Sequence, residues 1–97
     1  MTSVNFHPEA EAELLAAARY YEEQAENLGL DFLDAVEATC DRVLQFPDIG
    51  REFGGRLRRV LVPRFPFGLI YCMDANGLLV LAVANLYRRP GYWRRRT

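Results

Sequence analysis

Ninety-seven residues fit one domain with a modest core, and a hydrophobic fraction of 51% argues against disorder over most of the chain. The formal net charge of −1 hides two opposed halves: residues 1–50 hold eleven acids and two arginines, residues 51–97 ten arginines and two acids, and every basic residue is arginine. A sequence pI near 5.8 would argue against a nucleic-acid partner, but a field is set by local charge, so the basic half remains suited to an anionic or macromolecular surface.

In chain order, Ser3 to Phe6 reads as a short first strand. His7-Pro8-Glu9 opens a helix, because proline needs no N–H partner at the first helical position and Glu9, Glu11 and Glu13 meet the positive end of the helix dipole. Leu14, Ala17, Ala18, Tyr21 and Ala25 recur at helical spacing as one apolar face, and Asn27-Leu28-Gly29 is expected to end that helix. A second helix is expected from about Leu30 to Gln45, with Phe32, Leu33, Val36, Cys40, Val43 and Leu44 as its buried stripe. Pro47 and Gly50 stop it, and the short connection implies an antiparallel helical hairpin.

The period then changes. Arg56 to Val62 and Phe65 to Met73 are strand candidates, with Pro63 and Pro66 marking a sheet edge or bulge between them. Asp74-Ala75-Asn76-Gly77 is a hairpin turn leading into a third strand, Leu78 to Leu86, whose apolar run places it centrally in the sheet. Tyr87 to Thr97 is a basic tail with room for a short helical turn. The order β-α-α-β-β-β predicts a single α+β domain over residues 1–97, a helical hairpin packed on a small, mainly antiparallel sheet.

The absences narrow the chemistry. One histidine, His7, and two isolated cysteines, Cys40 and Cys72, are too few for a zinc site, so no metal is expected. Gly54-Gly55 lacks the GK[ST] continuation of a phosphate loop, and no lysine is available for a Schiff base; no cofactor is expected. The cysteines sit among apolar neighbours, as in a reduced, cytoplasmic protein. No secretory leader is apparent and no apolar run is long enough to span a bilayer, so no membrane association is expected. What remains is arginine beside aromatic residues. The guanidinium fork suits phosphate or carboxylate, and tyrosine and tryptophan suit stacking or an interface anchor. The target-binding candidates are Arg58, Arg59, Arg64, Arg88, Arg89, Tyr92 and Trp93. The bland alternatives are core packing for the aromatics and a solvated tail for Arg94 to Arg96.

Four segments in order resemble toxins of the RelE/ParE superfamily, from bacterial type II toxin–antitoxin pairs. They are Glu9 to Leu14 with Ala18-Arg19-Tyr20-Tyr21; Gly29 to Leu33 with Val36; Arg58-Arg59 with Arg64 to Tyr71; and Ala82 to Asn85 with Arg88-Arg89-Pro90 and Tyr92-Trp93. The resemblance implies a growth-inhibiting toxin, a cognate antitoxin, and operator DNA bound through the antitoxin. Its two branches differ in target: one cleaves ribosome-bound mRNA, the other poisons DNA gyrase. Gly68 stands where the nuclease branch has an arginine, its lysines have no counterpart, and Asn85 stands where many relatives have histidine. These departures favour the gyrase branch, with ribosome-dependent mRNA cleavage as the alternative.

Overall fold

The computed structural model describes residues 3–88 and 91–96. Its elements are β1 (Ser3–Phe6), α1 (Pro8–Gln24), α2 (Leu28–Gln45), β2 (Arg51–Glu52), β3 (Arg58–Leu61), β4 (Phe67–Asp74), β5 (Gly77–Asn85) and a 3₁₀ turn, Tyr92–Arg96. The strands form one sheet in the order β1-β5-β4-β3-β2. The β1–β5 pair is parallel and the others are antiparallel. The expected α+β architecture is present, with one strand added: β2, at two residues, is too short to carry a hydrophobic period.

The local chemistry accounts for the boundaries. His7 caps α1, its Nδ1 accepting the Glu9 N–H at 3.1 Å. The helix ends at Gln24, earlier than the Asn27-Leu28-Gly29 stop expected from sequence, and the chain reverses over 25–27, with Asn27 in the left-handed region at φ 68°. Asn27 makes no side-chain cap; Glu22 reaches across instead and accepts the N–H groups of Asn27 and Gly29, both at 3.0 Å. A carboxylate from the end of the preceding helix thus satisfies donors that a helix start would otherwise leave orphaned. Gly29 lets the two helices meet here, since a Cβ on it would sit 2.5 Å from the Ala18 carbonyl oxygen. The β4–β5 hairpin closes at Asp74↔Gly77 as expected, with the Asn76 N–H held by Asp74 Oδ1 at 2.7 Å.

The helices cover one face of the sheet. Ala10, Ala17, Ala18, Phe32, Val36, Cys40 and Val43 pack on Val60, Val62, Phe67, Leu69, Tyr71, Leu78, Val80 and Val83. Leu14 and Tyr21 contribute from the core margin, whereas Ala25 is exposed because the helix has already ended. Each large side chain fully buried here adds about 1.5–3 kcal/mol of driving force. Tyr71 is buried at the base of the core, where its hydroxyl donates to the Pro47 carbonyl at 2.8 Å and accepts the Gly50 N–H at 2.9 Å. Burial, the leading influence, raises its pKa against the opposing pull of that N–H and of Arg58.

The opposite face is covered in part by the chain's own tail. Trp93 packs on Ile70, Ala82 and Ala84, joined by Phe53, Leu57 and Tyr92. This second small core explains why β5 is apolar on both faces: it lies between β1 and β4 with side chains packed above and below.

Candidate functional site

Strand alternation divides the candidate arginines between the two faces. Arg58 shares the helix side of β3 with Val60. Its Nη1 donates to the Gly50 carbonyl at 2.8 Å, and its Nη2 lies 3.5 Å from both Asp48 and Glu52. Its charge is spent on tying the loop after α2 to the sheet. Arg59 points the other way. It pairs in register with Arg51 on β2 and Ile70 on β4, and its guanidinium lies 5.1 Å from the Phe53 ring centroid. Arg64 sits in the β3–β4 connection at φ 73°, exposed, 4.0 Å from Asp31 of α2 and therefore apart from Arg59.

At the tail, Arg88 lies 4.0 Å over the Tyr92 ring and 3.6 Å from Glu13. Arg96 approaches the same ring at 5.0 Å, so Tyr92 contacts two guanidiniums. The Tyr92 hydroxyl is buried and meets no hydrogen-bond partner of good geometry among the described residues, although Glu13 is near enough to act on it. Burial first, then Glu13, raises the phenol well above its ordinary pKa. Trp93 is 4% exposed and spends its surface on the second core. Arg89 lies outside the described residues. The structure thus brings Arg59, Arg88 and Trp93 around one hollow and leaves Arg58 and Arg64 elsewhere.

Two residues that the sequence reading did not single out organise this region. Glu13, expected as a helix-dipole residue, accepts the Val83 N–H at 3.0 Å and both Arg96 Nη atoms, at 2.9 and 3.2 Å. Arg96, expected in a solvated tail, also donates to the Leu81 carbonyl at 3.0 Å and pairs with Glu9 at 3.0 Å. The hydrogen bond to Glu13 is the leading influence in raising its pKa further. The tail therefore straps across β5 where β1 has ended, its contacts falling on strand groups left without a neighbour. The i, i+4 spacing of Glu9 and Glu13 was the available signal, but it reads equally as a solvated helix face.

Beside this clamp, a groove of about 620 Å³ runs between α1 and β5, lined by Glu13, Ala16, Ala17, Tyr20, Tyr21, Pro66, Phe67, Val83, Asn85, Tyr87, Arg88 and Tyr92. Its walls are mainly apolar and its ionic groups gather around Glu13 and Arg88. Tyr20 and Tyr87 stand exposed along it.

The family model described as the ParE toxin of the type II toxin–antitoxin system, parDE, matches residues 4–88. The chain belongs to the ParE toxin family. Among solved structures it is similar to a chain of the chromosomal ParDE toxin–antitoxin system from P. aeruginosa, with a TM-score of 0.63 and 20% identity over 89% of this chain and 97% of that one. At that identity the likeness shows the fold. No curated protein matches the chain in sequence. The ParE match stops at residue 88, so the clamp joins Glu13 inside the matched region to Arg96 beyond it. None of the described helices is long and apolar enough to cross a membrane.

Proposed function

We propose that this ParE-family toxin acts in the cytoplasm by inhibiting DNA gyrase, without hydrolytic chemistry of its own, and that a cognate antitoxin neutralises it. The observation that carries the non-hydrolytic reading is the composition of the face around Arg59. Gly68, opposite Leu61 and Ala84, presents no side chain there, and the stem of Arg59 occupies the space beside it. The one histidine caps α1, and Glu52, which borders the hollow beside Arg59, is paired with Arg58. Proton transfer to and from a cleaved phosphodiester calls for positioned acid and base groups; guanidiniums and aromatic rings serve binding. Arg59, Arg88 and the exposed part of Tyr92 are the proposed target contacts, with Arg64 and Arg89 as further candidates. Arg58 and Trp93 support them by holding the loop and the tail.

The groove between α1 and β5 suits an antitoxin segment that lays an apolar face against Ala16, Ala17, Tyr20 and Tyr87. Operator DNA would then be reached through the antitoxin. The decisive experiment compares two activities of the purified toxin. Inhibited supercoiling by gyrase with intact ribosome-bound mRNA is expected; codon-specific mRNA cuts with normal supercoiling would replace this reading by the endoribonuclease one. Alanine at both Arg59 and Arg88 should reduce growth arrest at equal expression while the domain stays folded, and unchanged toxicity would remove them from the target surface.

A further inference from the structure

The sheet face turned away from the helices sets two arginines directly against each other. Arg51 and Arg59 are register partners on β2 and β3, and like charges at opposed positions repel. Their neighbours Glu52 and Arg58 alternate to the other face, and Arg58 holds the Glu52 and Asp48 carboxylates, each at 3.5 Å, although Glu52 still borders the hollow that Arg51 and Arg59 share. The acids closest in the chain are thereby drawn off, and among the described residues neither Arg51 nor Arg59 has a carboxylate partner.

Arg59 is also held in place. Its stem lies over the bare backbone of Gly68, where a Cβ would be 3.3 Å from the Arg59 Cγ, and its head rests on Phe53. A hollow of about 360 Å³ is lined by Arg51, Glu52, Phe53 and Arg59. A second hollow, of about 130 Å³, is lined by both Arg59 and Arg88; the Arg88 side chain is 57% exposed and only loosely paired with Glu13, at 3.6 Å. Guanidiniums in succession, along two hollows that have Phe53 and Arg59 in common, match an anion that repeats along a chain better than a single free one. Planar forks of this kind bind phosphate oxygens in pairs.

We infer that this face binds the phosphodiester backbone of nucleic acid, with Arg51 and Arg59 sharing one phosphate and Arg88 reaching a neighbouring one. The acidic helices do not prevent this. They lie on the other side of the sheet, the shortest extent of the molecule is 22 Å, and charge is screened over about 10 Å at 0.1 M salt. The inference goes beyond the gyrase reading, because the contact belongs to the toxin alone. It is measured without gyrase, so the failure of either leaves the other standing.

The test titrates the purified full chain against labelled duplex DNA and single-stranded RNA by fluorescence anisotropy, between about 50 and about 200 mM salt. Binding is expected in the micromolar range at about 50 mM, tighter for the duplex with its higher charge density, with a log–log salt slope of roughly −2 for the two phosphates engaged. In the Arg51→Ala/Arg59→Ala double variant, which empties the shared phosphate contact, the slope should become shallower by about one; Arg51→Ala alone, on an exposed two-residue strand, should weaken binding several-fold. Arg59→Ala should do the same, and Arg51→Glu should weaken binding further. Arg19→Ala, on the exposed helix layer, should change neither quantity. The inference is overturned by unchanged affinity and slope in a folded Arg51→Ala/Arg59→Ala double variant. It is equally overturned if neither polymer binds at about 50 mM salt, including the case where inorganic phosphate still shifts the amide resonances of Arg51 and Arg59.

Discussion

Replacing Arg96 by alanine tests whether the last turn of the chain is part of the fold. The side chains of Arg96 and Glu13 are only 10% and 14% exposed, and they share two charge-assisted hydrogen bonds, at 2.9 and 3.2 Å. The variant loses these, the bond to Leu81 and one face of the Tyr92 stack, and it leaves Glu13 with the Val83 N–H and a looser Arg88 at 3.6 Å. Breaking a fully buried pair by removing one partner costs about 3–5 kcal/mol. The edge of this pair touches solvent, and the Glu9 bridge, on an exposed carboxylate, adds little. A loss of about 2 kcal/mol is the reasoned figure. For a domain of this size, that lowers the melting midpoint by roughly 8–16 °C. Thermal unfolding followed by circular dichroism measures it, and a double-mutant cycle with Glu13→Gln isolates the pair. A fall of under about 2 °C, or no coupling in the cycle, would show that the tail is pinned by something other than this clamp.

Other consequences follow from the packing. Tyr71→Phe leaves the Gly50 N–H and the Pro47 carbonyl without their partner, so urea unfolding should show a loss of about 1–3 kcal/mol with an unchanged m-value. Gly29→Ala drives a methyl to 2.5 Å from the Ala18 carbonyl oxygen, and forcing the helices apart should cost about 1–3 kcal/mol in the same assay. Burial raises the Cys40 thiol from 9.0 to about 11. Its folded-state value lies above the unfolded one, so its contribution is complete below pH 9 and is lost as pH rises towards about 11. Stability profiles should therefore fall through that window, less steeply in Cys40→Ala. The native thiol should also resist alkylation at neutral pH, and rapid labelling of the folded protein would contradict its burial.

Periodicity alone determined most of the architecture. The strand at Ser3, the two helices, the Asp74–Gly77 turn and the apolar run of β5 are local patterns, and local patterns are what propensity and side-chain alternation encode. The separation of an acidic helical layer from arginines on the sheet and tail was visible in the same way. Three features were decided only by tertiary structure. Strand β2 forms because β3 offers it an edge; two residues carry no period of their own. The division of the arginines depends on register, which turns Arg58 towards Asp48 and Glu52 and turns Arg59 towards Arg51 on the open face. The clamp joins residues 83 positions apart, so neither Glu13 nor Arg96 has a local signature of its role. Composition counted ten arginines in the second half of the chain. Folding determined which are neutralised at once and which keep a charge turned outward, because a carboxylate partner is a matter of distance in space and not of position in the chain.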